Sequence, residues 1–158
     1  MTYAIVFSSR TGNTKLLADT LLSALPGEEC IYWGEPSPEA LKAERLYVGF
    51  WTDKGTCDEG VANFLHQVTD QQVFLFGTAG FGGAPAYFDQ ILTRVEANLE
   101  GRGTVVGRFM CQGKMPQAVR DRYEAMEESP RRTAMLENFD RALSHPDQAD
   151  LDALRAAL

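Results

Sequence analysis

The stretch SSRTGNTK at positions 8–15 follows the apolar run TYAIVF and leads into a helical pattern. A loop that opens into a helix presents free backbone N–H groups and the positive end of the helix dipole. The hydroxyls of Ser8, Ser9, Thr11 and Thr14 and the amide of Asn13 add neutral donors. Arg10 adds a positive charge, and Gly12 lets the backbone approach a ligand closely. Together these residues suit a phosphate dianion held with few formal charges. A hydroxyl-rich helix cap with no ligand would account for one such side chain, but not for so many polar residues at the end of one strand.

The common nucleotide motifs do not match. A Walker loop needs GxxxxGK[ST], whereas here Lys15 follows Thr14 and Gly12 is the loop's one glycine. A dinucleotide fingerprint places GxGxxG after the first strand. GFGGAP at 80–85 comes much later in the chain and lacks the last glycine. A response-regulator receiver needs an acidic pair after strand one, and residues 1–18 contain no acid. A low-molecular-weight phosphatase needs a cysteine followed six residues later by arginine. Cys30, Cys57 and Cys111 all lack it.

The elements that must position this loop are readable from periodicity. Apolar runs at 2–7, 28–33, 45–51, 72–77 and 104–111 are rich in Val, Phe, Ile and Tyr, as strands are. Most lack polar alternation, as expected of strands covered on both faces. Leu17, Leu21 and Leu25 fall at helical spacing before Pro26-Gly27, and Phe88, Ile91, Leu92, Val95 and Leu99 line one face of a helix opened by Pro85. Segment 58–68 reads as a shorter helix and 38–44 as a weak one. Met135, Leu136, Phe139 and Leu143 form a stripe broken at SHPD, after which Asp147 or Asp150 caps a last helix. Residues 112–130 read either as one helix or as two pieces around a loop. Alternating strands and helices imply an α/β fold with right-handed crossovers: one domain over 1–158, a three-layer, doubly wound, five-stranded parallel sheet. Ligands on such sheets bind outside the carboxyl ends of the strands.

Composition narrows the function classes. The chain has 158 residues, 44% hydrophobic and 23% charged, enough for a substantial core. A formal net charge of −7 argues against a nucleic-acid partner. No run approaches the ~20 apolar residues of a membrane span, and MTYAIVFSSR lacks the marks of a signal peptide. Three cysteines without metal-like spacing are expected to be reduced thiols in a cytoplasmic protein. No metal site is expected. Cys57 and Cys111 are expected to be spectators, and His66 and His145 have no catalytic partner that the sequence identifies.

IVFSSRTGNTKLLADTL resembles the flavodoxin FMN-binding signature along its full length, with Ser9, Gly12, Thr14, Ala18 and Leu21 at its hydroxyl, small, threonine, alanine and aliphatic positions. The resemblance implies strand order 2-1-3-4-5 and FMN at the switch between strands one and three. It further implies that the loop around Trp51, Thr52, Asp53, Lys54, Gly55 and Thr56 borders the flavin ring. There Trp51 would be a ring neighbour and Gly55 the point of backbone freedom. Lys54 near the pyrimidine edge would favour a reduced anionic ring, and Asp53 would oppose it. In the loop of Thr78, Ala79, Gly80, Phe81 and Gly82, small residues would let a flat ring approach the backbone, and Phe81 would cover a face. Flavodoxins often carry a tyrosine and a Gly-Asp pattern in this loop. Phe81 and the missing acid argue against a very low reduction potential. GFWTDKGTCDE, FGTAGFGG, CQGKM and SHPDQADL resemble a short-chain, BilS-like flavodoxin group associated with bilirubin reduction by a separate reductase.

The resemblance therefore implies an electron carrier, more carrier than stand-alone enzyme. It would be a monomer shuttling electrons from a reductase to a terminal acceptor enzyme, with an acidic rim of Asp53, Asp58 and Glu59 for docking and no catalytic acid or base of its own. The competing readings are an FMN-dependent NAD(P)H or quinone reductase and a flavin-free interaction module. The reductase would need inserted segments around the ring, and none is evident in a chain this compact.

Overall fold

The computed structural model describes residues 1–82 and 84–158. Gly83, within the GFGG stretch, lies outside them. The strands are β1 (Tyr3–Phe7), β2 (Cys30–Gly34), β3 (Arg45–Asp53), β4 (Thr56–Cys57), β5 (Gln72–Ala79) and β6 (Thr104–Gln112). The α-helices are α1 (Asn13–Ala24), α2 (Glu59–Leu65), α3 (Pro85–Glu96), α4 (Gln117–Glu124), α5 (Pro130–Ala142) and α6 (Gln148–Ala156). The long strands run parallel in the order β2-β1-β3-β5-β6, and β4 pairs antiparallel with the end of β3. Leaving aside β4, this is the expected order. Segment 38–44 contributes a 3-10 turn over Pro38–Lys42 rather than an α-helix.

Each central strand supplies both faces of the core. Ala4, Val6, Leu46, Val48, Phe50, Val73 and Leu75 join the cluster under α2 and α3, which supply Val61, Phe64, Ile91 and Val95. Their chain neighbours Tyr3, Ile5, Phe7, Tyr47, Phe74 and Phe76 turn the other way, onto Leu17, Leu21 and Leu154 of α1 and α6. The period-two alternation of strand side chains thus divides a continuous apolar run between two layers. Burying each such leucine fully contributes about 1.5–3 kcal/mol. The alternative caps of α6 resolve into a reciprocal pair: Asp147 accepts from the Asp150 N–H, and Asp150 accepts from the Asp147 N–H, each at 2.9 Å.

The parallel register stacks the strand ends at one edge. Phe7 lies opposite Gly49, Trp51 opposite Thr78, and Ala79 opposite Gln112. The loops leaving β1, β3, β5 and β6 therefore emerge together.

Candidate functional site

The first loop is shaped by its own side chains. The Ser8 N–H extends the β1–β3 ladder to the Gly49 carbonyl at 3.1 Å. Ser9 Oγ accepts from the N–H groups of Gly12 and Lys15, each at 3.2 Å. Gly12 adopts a left-handed φ of 89°, which turns the chain into α1. Among the described residues, no acceptor takes the N–H groups of Arg10, Thr11, Asn13 or Thr14. They face the start of a twelve-residue helix, where the dipole favours an anion.

The hydroxyls divide into two groups. Ser9 and Thr11 lie at the surface of the loop. Thr14 is 1% exposed, donates to the Phe50 carbonyl at 3.0 Å and lies 3.4 Å from the buried Thr78 hydroxyl. Ser8 faces the Asp58 carboxylate. Lys15 turns away altogether, pairing with Asp19 at 3.1 Å and lying over the Trp33 ring.

The loop after β3 is a tight hairpin. Lys54 and Gly55 both have positive φ, 52° and 83°, as a two-residue type I′ turn requires. The turn pairs Asp53 with Thr56 and Thr52 with Cys57. Arg94 of α3 donates to the Gly55 carbonyl at 3.1 Å, and Thr52 Oγ1 donates to the Thr78 carbonyl at 2.8 Å. Asp58, expected on an exposed rim, is instead 5% exposed and caps α2 through the Val61 N–H. Burial raises its carboxyl above the usual range, against the lowering effects of the Ser8 hydroxyl and the Val61 N–H. Burial, reinforced by Asp58, pushes the neighbouring Cys57 thiol up to about 11, so it stays protonated.

These loops enclose a cavity of about 330 Å³. The first loop contributes Arg10, Thr11 and Asn13. Residues Trp51 to Gly55 come from β3 and its hairpin, and Thr78 to Phe81 from the end of β5. Ser8, Ser9, Gly12, Thr14, Thr56 and Gly82, expected as direct contacts, do not line it. Gly12 instead lines an adjoining hollow of about 240 Å³ shared with Ser144 and His145. Thr11, Asn13 and Lys114 border both spaces.

The sequence reading missed a further wall. Gly113, Lys114, Met115 and Pro116 cross the sheet edge after β6, and Tyr87 of α3 and Val119 of α4 complete the lining. The crossing is fixed by the Gly113 N–H on the Ala79 carbonyl at 2.9 Å, the Asn13 side-chain amide on the Lys114 carbonyl at 2.8 Å, and the Lys114 N–H on the His145 carbonyl at 3.0 Å. Met115 lies where a side chain at position 80 would stand, its sulfur 2.5 Å from the place of a Cβ on Gly80. The CQGKM stretch following an edge strand was the available signal, since every loop at the carboxyl edge is a candidate.

A model described as "Flavodoxin domain" matches residues 4–158. The chain belongs to the flavodoxin family. It is 42% identical over 176 aligned positions to the flavodoxin-like domain-containing protein BilS of Clostridium symbiosum, an alignment covering 98% of this flavodoxin and 93% of that protein. A solved short-chain flavodoxin associated with a non-canonical PDU bacterial microcompartment superposes with a TM-score of 0.57 at 19% identity, covering 90% of this chain and 96% of that one. A flavoprotein from Lactobacillus acidophilus, solved in complex with FMN, superposes with a TM-score of 0.54 at 13% identity over 69% of this chain and 92% of that one. These superpositions establish the shared fold.

The donor set of this flavodoxin suits a flat ring carrying an anionic tail. The titratable side chains lining the cavity are Arg10, Asp53, Lys54, Tyr87 and Lys114, so cations prevail in a chain of net charge −7. The remaining lining combines the neutral polar side chains of Thr11, Asn13, Thr52 and Thr78 with aromatic, aliphatic and glycine residues. No helix among the described residues is long and apolar enough to cross a membrane.

Proposed function

We propose that this chain binds FMN non-covalently and carries electrons from a reductase to a terminal acceptor enzyme. The observation that carries the reading is one cavity joining the anion-ready first loop to the Trp51 and Phe81 loops. The free N–H groups at 10, 11, 13 and 14, with Ser9, Thr11 and Arg10, would hold the phosphate. Trp51 and Phe81 would flank the ring, and the glycine-rich backbone after β5 would meet its polar edge. The bound ring supplies the redox chemistry. The protein binds, orients and sets the field.

Likeness to BilS, together with the short motifs shared with that group, supports a bilirubin reductase as the acceptor. We infer, as the resemblance implies, a monomeric, cytoplasmic carrier more than a self-sufficient enzyme. Titrating flavin-stripped protein with FMN and with riboflavin tests the first step. Tight FMN binding with much weaker riboflavin binding is expected, and absence of FMN binding overturns the reading.

One observation favours the second reading. Met115, Pro116, Val119 and Tyr87 add an apolar wall beyond the loops that flank the ring, and such a wall could seat a flat substrate such as a quinone. Steady-state NAD(P)H oxidation by the FMN-loaded protein alone, with a quinone acceptor, separates an enzyme from a carrier.

A further inference from the structure

The Gly80 carbonyl accepts from two side-chain amides: Gln112 Nε2 at 2.9 Å and Asn138 Nδ2 at 3.1 Å. The two amides also meet each other, Gln112 Nε2 to Asn138 Oδ1 at 3.2 Å. Asn138 is a polar residue of α5 only 8% exposed, and neither amide lines the cavity. One residue earlier, the Ala79 carbonyl accepts from the Gly113 N–H at 2.9 Å.

Two consecutive carbonyls are thus drawn to the same side, toward β6 and α5. In a trans peptide the C=O and the following N–H point in opposite directions. The N–H groups of Gly80 and Phe81 consequently point away from β6, and both residues line the cavity. Among the described residues, neither N–H has an acceptor. Adjacent backbone donors aimed one way form a concave site for negative charge.

We propose that Gln112 and Asn138 are positioning residues that clamp the Gly80 carbonyl and thereby hold the Gly80 and Phe81 N–H groups toward the cavity, favouring the more negative, reduced state of a bound flavin. This rests on the flavin reading above and adds to it a role for α5. Donors fixed in advance stabilise developing charge without reorganising. Helix α5 lies outside the ring-binding loops, yet it would set the reduction potential through Asn138.

The test compares Asn138→Leu and Gln112→Leu with Arg132→Ala. Arg132 ties α5 to the Tyr123 carbonyl at 3.1 Å and touches neither amide, so it reports general loosening of the helices. In the flavin-free proteins, hydrogen exchange at the β5 ladder amides of Thr78 and Ala79, which the clamped carbonyl anchors, should quicken about five- to tenfold in the two leucine variants, the loss of one hydrogen bond. Arg132→Ala should leave that segment unchanged. With FMN and with riboflavin, the leucine variants should weaken binding equally, because the phosphate is not involved. Reduced flavin should lose about tenfold more affinity than oxidised flavin, moving the midpoint potential to more negative values. Unchanged exchange in both leucine variants overturns the clamp even if FMN binds. An unchanged midpoint potential, or an equal shift in Arg132→Ala, overturns its redox role. If no protein binds flavin, the exchange result still decides the clamp and the flavin reading alone fails. Should one leucine variant not fold, the other carries the test.

Discussion

The guanidinium carbon of Arg10 lies 5.5 Å from the centroid of the Trp51 ring, joining the loop after β1 to the loop after β3 across the cavity mouth. An exposed cation–π contact of this kind is worth about 0.5–1 kcal/mol. A flat ligand that stacked on the same indole face would have to displace it. Arg10→Ala should therefore act in opposite directions on two ligands. Riboflavin, which has no phosphate, should bind about two- to fivefold more tightly once the contact is gone. FMN should bind more weakly, having lost a cation near its phosphate. Fluorescence titrations with both ligands check this, and a change of the same sign in both would refute it.

Thr14 and Thr11 separate structure from recognition. The Thr14 hydroxyl serves the Phe50 carbonyl in the core, so Thr14→Val should cost about 0.5–1.5 kcal/mol by removing a buried hydrogen bond. Its stability loss should appear in chemical denaturation with no selective effect on FMN over riboflavin. Thr11→Val should do the reverse, reducing the preference for FMN with little loss of stability, whereas Ser9→Ala, which also strips the acceptor from the Gly12 and Lys15 N–H groups, should lower both.

This division marks how far the sequence can be read. The strands, their order and the loops after β1, β3 and β5 follow from apolar runs of the right length and from the flavodoxin signature. What the pattern could not supply is the direction of each side chain. Thr14 and Thr11 are alike in type, but one lies in the first turn of α1 and points into the sheet, while the other stays in the loop. Asp58 reads as a surface acid and is buried, where it caps α2 through the Val61 N–H and meets Ser8. The wall from Gly113 to Val119 was missed because its short, mixed sequence carries little periodicity. Its position depends on long-range bonds to Asn13, Ala79 and His145, which local pattern does not encode.

A Cβ placed on Gly12 would meet no atom within 4 Å, so the requirement for glycine there is purely one of backbone conformation. At φ 89°, alanine should cost about 1–2 kcal/mol. Gly12→Ala should lower thermal stability by that amount and weaken FMN more than riboflavin, since the same turn aims the N–H groups of Thr11 and Asn13. Gly12→Asn, whose side chain tolerates left-handed backbone better, should recover much of both losses.

Asp58 gives a pH signature of defined sign. Its carboxyl is raised by burial above the unfolded value near 4. Between those two values the folded chain binds more protons than the unfolded chain. Stability from this group is thus greatest at low pH, falls as pH rises through the window and is level above it. Asparagine caps a helix as well as aspartate but does not ionise. Relative to the native chain, Asp58→Asn should gain stability progressively above about pH 4 and then plateau. Urea unfolding from pH 4 to 8 measures the difference, and parallel curves would exclude a buried, raised carboxyl.

The charges around the cavity give the last prediction. Arg10, Lys54 and Lys114 face the opening against Asp53 alone, in a chain with an overall acidic excess. An anionic ligand should therefore bind less tightly as salt rises, because exposed charges are screened over about 10 Å at 0.1 M. FMN should show this dependence and riboflavin should not. Lys54 sits at the tip of the hairpin, where its exposed ammonium makes no ion pair among the described residues. Lys54→Glu should lower FMN affinity by a few fold at low salt and flatten the salt dependence, leaving the fold intact. If docking follows the same field, a redox partner should meet this opening with acidic groups of its own, and Lys54→Glu should slow electron transfer to it at low salt. Faster transfer in Lys54→Glu would instead place an acidic docking rim around the hairpin, with Asp53 and Glu59 as its members.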